Sequence, residues 1–579
     1  MQTHHSRRDQ DMNRRTVKAF AVTATLLAVV VGCTDPTVAP KSAVTGANIW
    51  ADPNAYAEYM AKLYAGLVVT SQIGPNDPGF QNGDIKLIDE GTSEFLRLNW
   101  YLQELPTDEA VIGWNDPGVP DLNRWQWGST NTISQAMYYR AYFETVLANE
   151  FLRQTSPDLL TSRGVSATLR ARIQNYRAEA RFLRAFAYWV GLDFFGNIPL
   201  VTEADPIGGP PPKQVARDSL YRYVVSELKA ILDSLPTPAG QTTYGRATPA
   251  AAKMLLAELY LNAGVYTGTD DYADALSAVS DVINAGLYTL ESNYRHNFTA
   301  DNNTSTEVIW AAIQDGTHTQ TWGGMTFLVH ASCGGSMQAA WYGVDYCWGG
   351  YRLKQQASRR FSAGDSRGSF IYDSMAAVDS TTAQRARDSV TIGADTAGDP
   401  GHPNSKNHWT QIDKSVTDSV IDIASFNFGV AGPKFTNKTS TGGPGSQTTM
   451  IDTDFPIFRL GEAYLIYAEA AVRTGTNVAQ GVTYFNNLRE RAFGAATHDV
   501  TAAQMTLDTI LAERGRELLF EARRRTDLIR FGMFTGNSLL WAWKGNQPGG
   551  VTTDAHFNLY AIPLNELSAN PNLKQNPGF

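Results

Sequence analysis

Apolar residues recur at helical spacing along much of the chain. Within residues 169–195, Tyr176, Leu183 and Val190 are seven positions apart, as on one face of an amphipathic helix. The pattern stops at Gly196 and Pro199, two residue types that end helices. The same periodicity predicts helices over residues 218–235, 250–263, 271–285, 460–473, 482–491 and 507–531.

Short turns containing Gly or Pro separate these predicted helices. Thr248 followed by Pro249, for example, is a capping residue with proline at the first helical position. Helices paired by such turns are typical of hairpins stacked like tetratricopeptide units, although no strict 34-residue consensus is visible. The fold class predicted for the chain is therefore mostly α.

The middle of the chain has a different pattern. Residues 308–453 are rich in Gly, Ser, Thr, Asp and Trp, with short β-branched runs such as Val308-Ile309-Trp310. We expect loops with short strands there. Long irregular segments in a compact protein are usually functional, so we expect this region to carry function.

The last predicted helix, over residues 507–531, is dense in charge. Glu521 and Arg525 stand four positions apart and predict an ion pair along one helix face. The simplest interpretation is a salt-bridged helix packed on a neighbour.

The N-terminus has the pattern of a lipoprotein leader. Basic residues precede an apolar run of 13 residues, 19–31, which is shorter than the about 20 residues that a spanning helix needs. The run ends at Gly32-Cys33, as in a bacterial lipobox. We predict a signal peptide over residues 1–33 with lipidation of Cys33, then a tether over residues 34–47. Met1 and Met12 both remain candidate starts.

Net charge and cysteine content bear on the partners and disulfides that the chain can have. The net charge is −9, so the chain lacks the basic footprint of a nucleic-acid-binding protein. After Cys33 only Cys333 and Cys347 remain, and their spacing fits either a disulfide or a pair of free buried thiols.

Catalytic motifs are not evident. The chain has no His-Glu-x-x-His zinc motif, no Cys-x-x-Cys, no phosphate-binding loop and no nucleophile elbow. Residues 301–307 alternate oxygen-bearing side chains as a calcium loop does, but they lack the central Gly of an EF-hand loop. We therefore predict no metal, no cofactor and no catalytic residue; the many carboxylates leave a glycosidase-type acid/base pair open as the alternative.

Two segments combine aromatic rings with hydrogen-bonding side chains. This mixture suits sugars, which present flat C–H faces and rims of hydroxyls. The alternative is that the rings fill gaps in a loop-rich core. The candidate ligand-binding residues are Trp114, Asn115, Asp116, Arg124, Trp125 and Trp127 in the first segment, and Trp322, Trp341, Tyr342 and Trp348 in the second.

Six motifs occur in a fixed order along the chain. They are LQELPTDEA (102–110), RFLRA running to FGNIPLV (181–201), GRATPAAA (245–252), RLGEAYLIYAEA (459–470), ER, EL, E and DL within 513–528, and the ending AIPLNELSANPNLKQNPGF (561–579). Together they resemble the SusD/RagB family of surface glycan-binding lipoproteins. One departure is Ala522-Arg523, where the family usually has Gly and His. The resemblance covers nearly the whole chain after the leader.

The resemblance implies a SusD-like fold in which four tetratricopeptide-like units support an irregular binding half. It implies an N-terminal helical-repeat region over residues 48–300 and a SusD/RagB C-terminal region over residues 301–579. Family members that bind starch use aromatic residues from comparable early and central loops, so the two aromatic segments correspond to the family's site as regions, not residue by residue.

The implied function is non-catalytic. Such a protein captures glycans or other nutrients at the cell surface, lipid-anchored in the outer membrane, and delivers them to a TonB-dependent SusC-like β-barrel transporter. Two alternatives stay open: a secreted glycan-degrading enzyme on an α-helical scaffold, and a periplasmic helical-repeat scaffold that binds proteins.

Overall fold

A computed structural model describes residues 49–80, 82–86, 88–237, 243–334, 337–362, 364–370, 378–379, 384–385 and 431–579. The predicted signal peptide, Cys33 and the tether lie outside these residues. Among these residues, those from position 57 onward belong to one compact unit, and residues 49–56 belong to another.

Helices dominate the described residues, which confirms the mostly-α prediction. They are α1 (Ala55–Ala65), α2 (Phe95–Glu104), α3 (Val119–Arg124), α4 (Thr132–Gln154), α5 (Pro157–Ser162), α6 (Ala167–Phe195), α7 (Arg217–Ile231), α8 (Pro249–Leu261), α9 (Ala263–Thr267), α10 (Tyr272–Asn284), α11 (Gly324–His330), α12 (Gln355–Ser358), α13 (Leu460–Thr474), α14 (Val478–Phe493), α15 (Leu507–Glu517), α16 (Arg524–Arg530) and α17 (Leu564–Ala569). Short 3₁₀ turns lie between them, as at Gly91–Ser93 and Ala339–Tyr342.

The strands are short and pair two by two, all antiparallel. They are β1 (Ala110–Ile112), β2 (Ile198–Pro199), β3 (Gln214–Val215), β4 (Val308–Ala312), β5 (Tyr351–Leu353), β6 (Val378–Asp379), β7 (Gln384–Arg385) and β8 (Phe455–Arg459). The pairs are β1–β5, β2–β3, β4–β8 and β6–β7. Because Ile112 pairs with Tyr351, β1–β5 joins the first aromatic segment to the end of the second.

The long helices pack on one another in series. Helix α4 packs on α6, α6 on α7, α8 on α10, α10 on α13, and α13 on α14. This is the arrangement expected of stacked hairpins, because each amphipathic helix buries its apolar face against the next. A representative core cluster holds Leu465, Ala468, Phe485, Leu488, Met505, Ile510 and Leu518.

Helix ends follow local chemistry that the sequence shows. The Ser166 side chain accepts the Leu169 backbone N–H at the start of α6, and Gly196 ends that helix at φ 71°. Thr248 caps α8, with Pro249 at its first position. Helix α8 stops at Leu261, so the predicted end at Ala263 was two residues late.

The predicted continuous helix over residues 507–531 is wrong. Helix α15 ends at Glu517 and α16 begins at Arg524. Between them, Phe520 and Ala522 adopt left-handed backbone conformations, with φ 63° and 57°. The predicted Glu521–Arg525 pair is therefore absent: Glu521 pairs with Lys434 and Arg459, and Arg525 pairs with Asp193. Glycine adopts a left-handed conformation at the least steric cost, so Ala522 holds a backbone geometry that suits glycine better.

Across the described residues, no helix combines the length and the apolar character that crossing a membrane requires.

Candidate functional site

Three tryptophans from separate loops meet at one place. The Trp348 ring centroid lies 6.3 Å from that of Trp114 and 6.2 Å from that of Trp322. Tyr346, 52% exposed, lies 6.3 Å from Trp348 on the same measure. All three indoles are half-buried. We call Trp114, Trp322, Tyr346 and Trp348 the aromatic surface; it combines rings from both predicted segments.

Trp114 follows β1, and two buried side chains contact its ring. The Arg97 guanidinium carbon lies 5.5 Å from the centroid of the Trp114 ring, and Phe327 packs edge-on against that ring at 5.8 Å. Gly350 permits the close approach of β5, because a Cβ there would lie 2.8 Å from Trp114 Cζ2. Beside this ring, Asn115 is exposed and Asp116 is half-buried.

Trp322 is held through its backbone by Glu90, which precedes the 3₁₀ turn Gly91–Ser93. The Trp322 N–H donates to Glu90 Oε2 at 3.0 Å, and Thr321 Oγ1 donates to Glu90 Oε1 at 2.7 Å. At Gly91 a Cβ would lie 2.7 Å from the Trp322 backbone, so only glycine allows this contact. A charged acceptor strengthens the attachment of the loop.

Trp348 rests on His330 at the end of α11. Their rings stack with centroids 4.7 Å apart and planes 21° apart. The Trp348 backbone N–H donates to the His330 carbonyl oxygen at 2.8 Å. The residue before Trp348 forms a disulfide, Cys333–Cys347. The structure therefore contains the bridge that the sequence left open against free thiols.

The His330 imidazole beneath Trp348 is buried between two backbone carbonyl groups. Nδ1 lies 2.8 Å from the Tyr346 carbonyl oxygen and Nε2 lies 3.1 Å from that of Thr449. Burial lowers the pKa of His330, although both carbonyls and nearby Asp345 oppose that shift. Beneath the Trp322 loop, burial also raises the pKa of Glu94 to about 7.

Three predicted binding rings lie in the core instead. Trp125 and Trp127 are each 3% exposed, and Tyr342 is 5% exposed. Trp125 Nε1 donates to the Pro106 carbonyl oxygen, and its ring packs on Phe534. Such buried rings present no face to a ligand in this structure. They fill the core, which was the alternative to ligand binding in the sequence analysis.

Two further predicted residues are Arg124 and Trp341. The Arg124 guanidinium lies 5.7 Å from the centroid of the Trp543 ring. Trp341 is half-buried in the turn Ala339–Tyr342. Tyr346, His330, Arg97 and Glu90 were not predicted; only the position of Tyr346 beside Cys347 offered a local signal.

Metal chemistry has no evident site in the described ranges, where no group of three His, Cys, Asp or Glu side chains could hold an ion. Within residues 301–307, Asp301 accepts hydrogen bonds from the Ser440 backbone N–H and hydroxyl, both at 2.7 Å. Its carboxylate is thus engaged in joining two loops.

Comparison with known proteins places the chain in a family. A sequence model of the SusD family matches residues 306–579. The starch-binding protein SusD of Bacteroides thetaiotaomicron is 34% identical over 536 residues, covering 90% of this chain and 91% of that protein. SusD-like protein P2 of Formosa agariphila is 24% identical over 487 residues, covering 79% and 83%.

Solved structures share the fold. Surface glycan-binding protein A from Bacteroides thetaiotaomicron, in complex with laminarihexaose, has a TM-score of 0.66 and 20% identity, covering 90% of this chain and 98% of that one. Surface glycan-binding protein A from Bacteroides fluxus has a TM-score of 0.64 and 20% identity, covering 93% and 100%. With a 34% identical relative matched over nine-tenths of its length, and with this fold, the chain belongs to the SusD family.

Proposed function

We propose that the aromatic surface binds a glycan, and that glucose polymers are the first class to test. The observation that carries this proposal is the meeting of Trp114, Trp322 and Trp348, with Tyr346 exposed beside them. Flat indole faces complement the C–H faces of sugar rings at low entropic cost. The 34% identical relative is named for starch, and a structural neighbour was solved with laminarihexaose.

Polar side chains beside the rings supply hydrogen bonds to the hydroxyl rim. Asn115 and Asp345 are exposed, and Asp116 is half-buried. These side chains offer amide donors and carboxylate acceptors, the pairing that sugar hydroxyls need. We leave Trp125, Trp127 and Tyr342 out of the proposed surface because they are buried, and Arg124 because it packs on Trp543.

The protein would act as a capture subunit at the outer membrane. Cys33 would carry the lipid anchor, and a TonB-dependent β-barrel transporter would receive the glycan, since a tethered protein without a channel concentrates ligand but does not import it. Such a partner needs a broad docking face, of the order of 2,000 Å². Affinity purification in mild detergent should recover a β-barrel protein, and its absence would count against delivery.

The proposed role is binding without catalysis. Secreted glycan degradation is the alternative from a different class, and product analysis separates the two. Incubation of the purified protein with soluble starch and laminarin should release no shorter sugars, whereas accumulation of oligosaccharides would favour the enzyme.

The direct test is calorimetric titration of the protein lacking residues 1–33. Maltohexaose, laminarihexaose and cellohexaose form a panel that varies only the glucose linkage, and a mannan oligosaccharide provides a change of sugar. Saturable binding of at least one glucan supports the proposal. If none of the glucans in the panel bound, the glucan assignment would be overturned.

A further inference from the structure

The Cys333–Cys347 disulfide lies directly behind the aromatic surface. Cys333 is fully buried three residues after α11, and Cys347 stands between Tyr346 and Trp348. The bridge closes a separation of 14 residues, so it ties two rings of the surface to the helix that carries His330. This is a short loop, in which a cross-link strongly limits the available conformations.

Backbone hydrogen bonds continue the attachment on both sides of the bridge. The Gly349 backbone N–H donates to the Cys333 carbonyl oxygen at 2.8 Å. The Trp348 backbone N–H donates to the His330 carbonyl oxygen at 2.8 Å. The Tyr346 carbonyl oxygen faces His330 Nδ1 at 2.8 Å. Tyr346 and Trp348 are thus fixed at their backbones, while the His330 ring supports the Trp348 indole face.

We propose that the Cys333–Cys347 disulfide and His330 are positioning groups that hold Tyr346 and Trp348 ready for the glycan. This inference rests on the proposed function. A glycan that meets ordered rings does not have to order them on binding, whereas mobile rings lose conformational freedom at that moment. Cys333, Cys347 and His330 need not touch the ligand; they act through Trp348.

The test compares the oxidised protein with a Cys333→Ala/Cys347→Ala variant, which removes both thiols together. If the bridge positions Trp348, the Kd for the best glucan should rise roughly three- to tenfold, from the ordering cost of one or two side chains. A near-ultraviolet circular dichroism spectrum verifies that the variant is folded. If it is not, wild-type protein reduced by dithiothreitol replaces it; the reagent forms a cyclic disulfide as the protein gains two thiols.

A double-mutant cycle separates positioning from general stability. Trp348→Ala is measured in the oxidised protein and in the disulfide-free background. Positioning through Trp348 predicts that the combined loss of affinity is smaller than the product of the two single losses. Multiplicative losses, or a disulfide-free protein with unchanged Kd, would overturn the inference. If the oxidised wild-type protein itself bound no glucan, the proposed function would fail instead.

Discussion

At the scale of the residue, Glu144 in α4 is a buried carboxyl group whose two oxygens have no hydrogen-bond partner among the described residues. Burial raises its pKa to about 8, even though Arg140 and Lys62 act in the opposite direction. Between the unfolded pKa of about 4.5 and the folded value, the folded state holds a proton that the unfolded state has released. Stability should therefore fall as the pH rises through this range.

Glu144→Gln tests this, because glutamine keeps the shape and cannot ionise. The free energy of unfolding of the wild type, relative to the variant, should fall by about 1.4 kcal/mol per pH unit between roughly pH 5 and 8. Urea unfolding across that range measures the slope. Parallel stability curves for the two proteins would show that Glu144 ionises freely in the folded state.

Individual tryptophans also show where sequence reasoning stops. Trp114 and Trp125 both stand in the same Gly/Pro/Asp-rich segment, yet one is half-buried at the surface and the other is core. The difference is set by Phe534, more than 400 positions away, which packs on Trp125. A local pattern contains no information about such a contact.

At the scale of the element, buried ion pairs join β8, the end of α15 and the loop beyond it. Arg459 contacts Glu307, Glu517 and Glu521, each at 2.7 Å. Arg367 also reaches Glu517, at 3.0 Å. All five side chains are buried, so each charge depends on its partners for compensation.

Glu517→Gln should destabilise the fold by roughly 3–5 kcal/mol, because it leaves buried guanidinium groups short of negative charge. Chemical denaturation measures the change. Asp218→Asn is the matched control: Asp218 pairs with Arg222 on an exposed helix face, and its loss should have no measurable effect. Equal stability of both variants and the wild type would contradict this account of the ion pairs.

The same cluster predicts acid sensitivity. Although burial opposes ionisation, Arg491, Arg459 and Arg367 lower the pKa of Glu517 well below its usual range. A lowered folded pKa stabilises the protein above the unfolded pKa of about 4.5, and this stabilisation is lost as the pH falls further. The stability gap between the wild type and Glu517→Gln should therefore narrow below about pH 4.5. A gap that stays constant down to pH 2.5 would argue against the shift.

Elements were predictable where their pattern is local. The 3.6-residue periodicity and the caps at Ser166 and Thr248 determine α6 and α8 from neighbouring residues alone. The break between α15 and α16 was missed because Glu521 turns away to distant Lys434 and Arg459. Tertiary ion pairs outweighed a locally favourable helix there.

At the scale of the whole molecule, the family and the mostly-α fold were predictable because motifs and helical patterns extend along the chain. The aromatic surface was predictable only as two separate segments. Their union depends on β1–β5 pairing, which no spacing reveals. The lipid anchor stays a prediction, since Cys33 lies outside the described residues.

Cys33→Ala tests the anchor. The motive is the 13-residue apolar run ending at Gly32-Cys33. The variant should be absent from the membrane fraction and take up no labelled fatty acid, whereas the wild type should stay in the membrane fraction and be labelled, because acyl chains supply the membrane affinity. Continued lipid labelling of the variant would place the attachment elsewhere.

The central claim is that Trp114, Trp322 and Trp348 form one glycan-binding surface. Its most direct test is the Kd of Trp322→Ala for the best glucan of the panel, measured beside Trp543→Ala. Trp543 is a matched control because it too is half-buried, but its ring faces Arg124. By analogy with bases stacked on aromatic side chains, Trp322→Ala should lose roughly 1–3 kcal/mol of binding free energy with its melting temperature nearly unchanged, while Trp543→Ala binds as the wild type does. Full affinity in Trp322→Ala, or an equal loss in both variants, would contradict the claim.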